Sequence, residues 1–500
     1  MIETYRVADY IADFIEKIGV KNVFLLPGGG AMHLVDAVEK NSYIEVVACL
    51  HEQAAAISAE AYSRISENIG VAMVTTGPGA TNAITAVAGA WIESVPLMII
   101  SGQCKRSDML RDSPLRQKGV QEVDIVKMIK SITKYSKIVE NPHEIQAIME
   151  KAYHIARDGR AGPVWIDVPL DVQGSPIELE KLPLWKEEVS YENDLNAISI
   201  NIVKEVKGLL NSAKRPLILA GHGIRLANSA IAFKDWVEEL GVPVVSTWNA
   251  LDLLPYNHSL YVGRPGVVAL RGPNFAVQNC DLLISIGCRL DNIITAYDSK
   301  GFARDAKKVV VDVDSNEIEK LEMDIEIAVN ADAGVFINAI KEIKMTPSAD
   351  LEKWRSMCND WKLRYAINDG KPFPLRGIIS HYHLMDVLSE TIPENMLIST
   401  GSSGLAVEAF YTAFRNKSGQ RVFLTSGLGA MGYGLPSAIG ACFANDKKPM
   451  ISIESDGSLQ LNIQELSTVR AFNLPIVLVI MNNDGYASIR NTQRNYFQER

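Results

Sequence analysis

The chain has no apolar run long enough to cross a bilayer. Its longest, PLMII (96–100) and PIVLVIM (475–481), fall far short of the roughly 20 residues a spanning helix needs. The N-terminus, MIETYRVADYIADFIEKIGV, lacks the basic start and apolar centre of a signal peptide. There is no Cys-x-x-Cys pair. The six cysteines (49, 104, 280, 288, 358 and 442) are scattered, which argues against a disulfide framework or a thiolate metal site. They read as small apolar residues in a reducing compartment. There is no excess of positive charge: the net charge of −9 argues against nucleic acid as the main partner. Short-period repeats and low-complexity tracts are also lacking. The expectation is a cytoplasmic protein with no membrane and no nucleic-acid partner.

What is present points to several α/β domains. Five hundred residues, 47% of them hydrophobic, suit two or three domains with sizeable cores. In the first block VFLLP, EVVACL, VAMVTT, LMIIS and VWIDVP alternate with helical stretches. That alternation predicts a parallel sheet covered by helices on both faces. A second block contains PLILAGHG, VPVVST, DLLISIG and KVVVDVD, and a third contains MLIST, a Gly-rich stretch and MISIESDG. Charged connectors, about 174–196 and 345–375, separate them. The expected fold is α/β, with doubly wound parallel-sheet domains over 1–175, 195–345 and 375–500.

One constellation carries chemistry. Asn483 follows Asp456 by 27 residues. Between them lie a stretch of helical apolar spacing (Leu461, Ile463, Leu466, Val469) and a continuous apolar run, Ile476 to Met481, of buried-strand type. A turn–helix–strand–turn crossover returns both turns to the carboxyl edge of a parallel sheet, where open α/β folds bind ligands. A carboxylate and an amide oxygen are hard ligands. Magnesium held by few protein groups completes its octahedron with phosphate oxygens. The pair therefore reads as a diphosphate-binding metal site, although Asp-Gly and Asn-Asn are also ordinary turn dipeptides.

Far upstream, CLHEQAAAISAEAYSR (49–64) is followed by a Thr75–Gln103 stretch beginning TTGPGATN. With PGGGAMHLVDAV (27–38), GLGAMGYGLPSAIGA (427–441) and the metal motif, the chain resembles the thiamine-diphosphate enzymes, specifically the acetolactate synthase group, from about residue 1 to residue 500. The resemblance implies pyrimidine-binding, central and diphosphate-binding domains. It implies further helices and strands beyond Asn483, whereas the sequence ends at Arg500, so the last domain reads as truncated. It implies that Glu52 hydrogen-bonds the aminopyrimidine ring of thiamine diphosphate and promotes loss of its C2 proton. His51 is expected to orient the backbone before it. Gly29, Gly30, Ser402, Ser403, Gly429, Asp456, Gly457 and Ser458 fall where the family contacts the cofactor. Met431 matches the apolar wedge that bends it, a proximity effect. Asp456 and Asn483, with the Gly485 carbonyl, would hold Mg²⁺. Gln121 would reach the substrate side.

The departures cluster at the substrate mouth. Val120, Thr492 and Leu170 stand where the group carries Phe, Trp and Lys, and His33 replaces a Pro. Smaller side chains leave room for a bulkier second substrate. The loop 104–118 holds Lys105, Arg106, Arg111, Arg116 and Lys118. It is either a solvated surface or an attractor for an anionic acceptor such as a sugar nucleotide. In the central domain Arg289 (SIGCRLD) and Asp332 (NADA) match an FAD segment, though some relatives bind ADP there or nothing. The expected function is a decarboxylating carboligase with pyruvate or another 2-keto acid as donor and a carbonyl acceptor. It would work as a homodimer or homotetramer with active sites shared between chains. A flavin-dependent 2-keto acid oxidase and a non-catalytic cofactor-binding subunit are the alternatives.

Overall fold

The computed structural model describes residues 5–186, 197–342, 349–402 and 404–498. By contact the chain forms two compact units. One is built from Met1–Val189, Ile398–Ser403 and Leu424–Arg500, the other from Ser190–Leu397 and Gly404–Phe423. Among the described residues no helix is long and apolar enough to cross a membrane.

The first unit contains a six-stranded parallel sheet. Its strands are β1 (Asn22–Leu25), β2 (Glu45–Ala48), β3 (Gly70–Val74), β4 (Leu97–Gln103), β5 (Tyr135–Ile138) and β6 (Val164–Pro169). They lie in the order β2-β1-β3-β4-β6-β5. The chain winds one way from β1 to β2 and the other way from β3 onward. The switch point therefore lies between β1 and β3, and a crevice opens at their carboxyl ends. β1, β3, β4 and β6 are buried along their whole length, as their continuous apolar runs require. β5 escaped the sequence reading because YSKI carries no apolar run; it is an edge strand.

The second unit carries β7 (Pro216–Ala220), β8 (Val244–Ser246), β9 (Tyr261–Gly263), β10 (Leu282–Ile286), β11 (Lys307–Asp312) and β12 (Ile327–Asn330). Their order is β12-β11-β10-β7-β8-β9, the doubly wound arrangement of dinucleotide-binding sheets. The expected connector after residue 345 is in large part a helix, Ala349–Arg364. Its charge hid its anchor: Trp354 is buried in this unit's core and donates Nε1–H to the Pro216 carbonyl at 2.8 Å.

A third parallel sheet sets β13 (Leu397–Thr400), β15 (Met450–Ser455) and β16 (Ile476–Met481) side by side. β14 (Arg421–Phe423) falls in the second unit, where Arg421 pairs with the buried Asp252 at 3.0 Å. β15 and β16 run parallel in register from Met450↔Ile476 to Ser455↔Met481. The crossover thus returns Asp456 and Asn482 to one edge, as their spacing predicts.

Two expectations fail in this crossover. β16 is the outer strand, paired on one side only, and Val477 and Ile480 are exposed rather than buried. The intervening chain is a short turn of helix (Asp456–Leu459), a 3-10 turn (Ile463–Glu465) and a helix (Leu466–Ala471). Its apolar Leu461, Ile463 and Leu466 face outward, while Asn462, Glu465 and Thr468 are buried. Distant partners reverse the face. Asn462 Nδ2 donates to the Gly432 carbonyl, and the Leu50 N–H and Thr468 Oγ1 donate to Glu465.

Candidate active site

Glu52 opens the helix Glu52–Ser66. His51 caps it: its Nδ1 accepts from the Gln53 N–H at 3.1 Å, the orienting role expected of it. The Glu52 carboxylate, 7% exposed, thus sits at the positive end of a 15-residue helix. Its Oε2 accepts from Asn82 Nδ2 at 2.9 Å. Its Oε1 lies against Gly79, where a Cβ would come within 3.2 Å.

The Thr75–Asn82 turn after β3 gathers the rest of this end. Gly30 N–H donates to Thr75 Oγ1 at 3.1 Å, and a Cβ on Gly30 would lie 1.9 Å from Thr76 Oγ1. Gly29 has open space where a side chain would be. Gln173 Nε2 holds the Gly30 carbonyl at 2.7 Å from the other side. Gln121, in left-handed backbone at φ 61°, presses its carbonyl against Gly77. So Gly30, Glu52 and Gln121 are brought around one turn at the switch point. Val120 beside Gln121 is 88% exposed.

The basic loop is more committed internally than its composition suggests. Arg106 pairs with Asp171 at 2.7 Å, Arg111 with Glu140 at 3.2 Å, and Lys118 donates to the Ser107 carbonyl. The buried Glu122 collects the N–H groups of Leu110, Lys118 and Gly119. His33 lies beside Arg6 and against Gly174.

The second end lies on the edge of the third sheet. Asp456 Oδ2 accepts from the Gly485 N–H at 2.7 Å. Asp456 Oδ1, Asn483 Oδ1 and Ser402 Oγ are buried with no hydrogen-bond partner among the described residues. An unsatisfied buried polar atom costs about 1–3 kcal/mol. Three oxygens at one sheet edge, a carboxylate and an amide among them, fit a Mg²⁺–diphosphate site. Among the described residues no three His, Cys, Asp or Glu side chains converge as a metal cluster. A cation here would therefore draw on Asp456, Asn483 and oxygens from outside the chain, as magnesium does with phosphates. The Gly485 carbonyl is less free than expected: Arg490 Nη1 covers it and Nη2 reaches the Asn483 carbonyl. Ser403 lies outside the described residues.

The Gly-rich stretch packs on this edge. Gly429 (φ 65°) lies near the Ser402 carbonyl, and Gly432 (φ 82°) donates its N–H to Ser458 Oγ at 2.8 Å. Both glycines hold backbone that other residues rarely adopt. Met431, between them, is half-buried. Gly457 packs against the Tyr486 ring. Buried acids that sequence reading missed hold the stretch at both flanks. Glu93 accepts from Ser426 Oγ and the Gly427 N–H, and Tyr433 donates to Glu60 at 2.8 Å. Arg64 closes the chain with Glu60 at 2.6 Å. Burial pushes the Glu60 carboxyl and the Tyr433 phenol up.

Among the described residues, no hydrogen bond joins Glu52 or Gln121 to Met431, Asp456 or Asn483. The expected FAD residues are on the second unit. Arg289, after β10 at that sheet's switch point, lies 3.4 Å from Asp291. Asp332 caps the helix Ala333–Lys341 by accepting from the Gly334 and Val335 N–H groups.

Three family models match the chain in order. They are the N-terminal TPP binding domain (5–128), the central domain (203–340) and the C-terminal TPP binding domain (399–500) of thiamine pyrophosphate enzymes. The acetolactate synthase isozyme 1 large subunit of Escherichia coli (strain K12) is 32% identical over 98% of this chain and 84% of its own length. The acetolactate synthase large subunit of Lactococcus lactis is 31% identical over 97% of this chain and 82% of its own. A probable large subunit from Methanocaldococcus jannaschii is 32% identical over 99% and 83%.

Proposed function

Because this chain belongs to the thiamine pyrophosphate enzyme family, alongside the acetolactate synthase large subunits, we propose that it is a decarboxylating carboligase. Its donor is pyruvate or a related 2-keto acid, and its second substrate is a carbonyl compound. The observation that carries this is the pairing of a buried Glu52 at one switch point with the unsatisfied oxygens of Asp456 and Asn483 at another sheet edge. When bound, thiamine diphosphate supplies a carbon nucleophile and an electron sink. The protein's part is orientation and electrostatics. Asp456 and Asn483 would hold Mg²⁺, and Ser402, Gly429, Gly457 and Ser458 would receive the diphosphate. Met431 would be the apolar wedge against the cofactor. Glu52 would hydrogen-bond its pyrimidine ring, beside Gly29 and Gly30. Gln121 faces the substrate.

The test is mass analysis of products from pyruvate with thiamine diphosphate and Mg²⁺, with and without candidate acceptors. Release of CO₂ with a new carbon–carbon bond is expected. Cofactor binding with no product from any 2-keto acid would leave the non-catalytic reading standing. The exposed Val120 and Thr492 support a roomy mouth and a bulkier acceptor, a sugar nucleotide among the candidates. Lys105 and Arg116, which make no ion pair among the described residues, are the cations offered to it. Equal turnover with pyruvate alone and with anionic acceptors would remove that refinement.

Two further parts of the reading rest on geometry. Among the described residues no hydrogen bond joins Glu52 to Asp456 or Asn483, and Leu461, Ile463 and Leu466 are exposed. We therefore place each active site between two chains of a homodimer or homotetramer with closed symmetry. A fully active monomer in sedimentation would contradict it. The β9-β8-β7-β10-β11-β12 order supports a nucleotide, FAD or ADP, near Arg289. Protein that releases neither on denaturation, after purification with both supplied, would dismiss it. The reading is of a cytoplasmic protein with no nucleic-acid partner.

A further inference from the structure

Glu454 is fully buried, 0% exposed, two residues before Asp456 on β15. Its Oε2 accepts from the Gly434 N–H at 2.8 Å and its Oε1 from the Ser455 N–H at 2.9 Å. Ser458 is a further hydrogen-bond partner. The same carboxylate lies against two glycine backbones. A Cβ on Gly401 would come 2.0 Å from Oε1, and one on Gly434 would come 2.3 Å from Oε2. Three turns thus converge on one side chain: 401–402 after β13, 432–434 of the Gly-rich stretch, and 455–458 after β15. Ser458 extends the chain by accepting from the Gly432 N–H, next to Met431. Among the described residues Glu454 makes no ion pair, so neutral donors alone hold a buried acid. Such burial is expensive and needs its hydrogen bonds complete.

We propose that Glu454 is a positioning residue that sets the shape of the diphosphate cradle. This rests on the thiamine diphosphate reading above. The alternative, a purely electrostatic role, has the opposite sign. A carboxylate behind an anionic diphosphate repels it, so removing the charge alone should tighten binding. Removing the geometry should weaken it. Glu454→Gln separates the two. The amide keeps the size but sets an NH₂ donor against the Gly434 or Ser455 N–H, so one of those turns must move. Glu454→Asp keeps the acceptors and withdraws them by one methylene.

The experiment titrates cofactor-free protein calorimetrically with thiamine diphosphate, and separately with inorganic pyrophosphate, at saturating Mg²⁺. Thermal melts of the cofactor-free proteins run beside it. The expected result is a loss of roughly 10–100-fold for Glu454→Gln with both ligands, as for residues that orient a metal site from behind. Glu454→Asp should fall between it and the wild type. A lower melting point with unchanged affinities would assign Glu454 to stability only and overturn the proposal. Equal or tighter binding by Glu454→Gln would do the same. Should Glu454→Gln fail to fold, wild-type affinity in Glu454→Asp overturns it. Wild-type protein that binds neither ligand refutes the functional reading itself, a different outcome from a variant that matches a binding wild type.

Discussion

The two ends of the first unit are finished to different degrees. Around Glu52 most polar groups have partners, Asn82 on its carboxylate, Thr75 on Gly30 and Gln173 on the Gly30 carbonyl, while Thr76 Oγ1 and Gln173 Oε1 are buried with none among the described residues. Around Asp456, Asp456 Oδ1, Asn483 Oδ1 and Ser402 Oγ are buried with none. At the first end the Glu52 carboxylate itself is held by its own chain; at the second, one oxygen of the Asp456 carboxylate and the Asn483 amide oxygen are left without a partner among the described residues. That difference separates two tasks. On the proposed reading, the group that acts on a proton is held in place in advance, whereas the groups that bind an ion keep lone pairs free, at about 1–3 kcal/mol apiece without it.

Changing each end separately should make a different property fail. Glu52→Gln keeps the shape and an acceptor but removes the ionisable group. Exchange of the cofactor's C2 proton should fall by about 10²–10⁴-fold, the usual range for a positioned acid or base. Affinity for thiamine diphosphate should stay within a few-fold. Hydrogen–deuterium exchange of the bound cofactor followed by NMR measures the first, and calorimetry the second. Exchange at the wild-type rate would remove Glu52 from the mechanism. Asp456→Ala should do the reverse. Mg²⁺-dependent cofactor affinity should drop by at least about 10-fold; the melting point of the cofactor-free protein is recorded beside it, because the change removes one unsatisfied buried oxygen and also the acceptor of the Gly485 N–H. Unchanged affinity at saturating Mg²⁺ would break the assignment of this end.

These sites are read from the sequence on different grounds. The start of the Glu52 helix is a local signal in an Ala-rich stretch, and the role proposed for Glu52 comes from the resemblance. Asp456 and Asn483 are read from a turn–helix–strand–turn spacing that permits one topology, which β15 and β16 adopt. What stayed hidden depends on partners far along the chain. Asn82 lies 30 residues from Glu52, and Gly434 lies 20 from Glu454. Periodicity alone points Leu461, Ile463 and Leu466 inward. It cannot register that Asn462 and Glu465 have the Gly432 carbonyl and the Leu50 N–H waiting for them. Nor does an apolar run distinguish an inner strand from an edge one, as β16 illustrates.

A further test asks whether the Glu52 end can be changed without touching the other. Asp167, at the carboxyl end of β6, is 0% exposed and held by Ser101 Oγ at 2.5 Å and Gln103 Nε2 at 3.1 Å. Gln103 Nε2 also reaches the Val123 carbonyl, two residues past Gln121. Burial pushes the Asp167 carboxyl up to about 7, against the pull of both hydrogen bonds. An acid raised on folding binds its proton more tightly in the native state than in the unfolded chain, where its value is about 3.9. Its contribution to stability is therefore full below about pH 4, falls as pH rises toward 7, and is level above that. Three pH units correspond to at most about 4 kcal/mol. Asp167→Asn does not titrate. The wild type's stability minus the variant's, from urea unfolding, should therefore decline between about pH 5 and pH 7 and flatten above about pH 8. Mg²⁺-dependent cofactor affinity should not change, because this acid belongs to the end that needs no ion. A pH-independent difference would show that Asp167 is already ionised in the folded protein. A loss of Mg²⁺-dependent affinity would show that the two ends are not separable, and the comparison would fail with it.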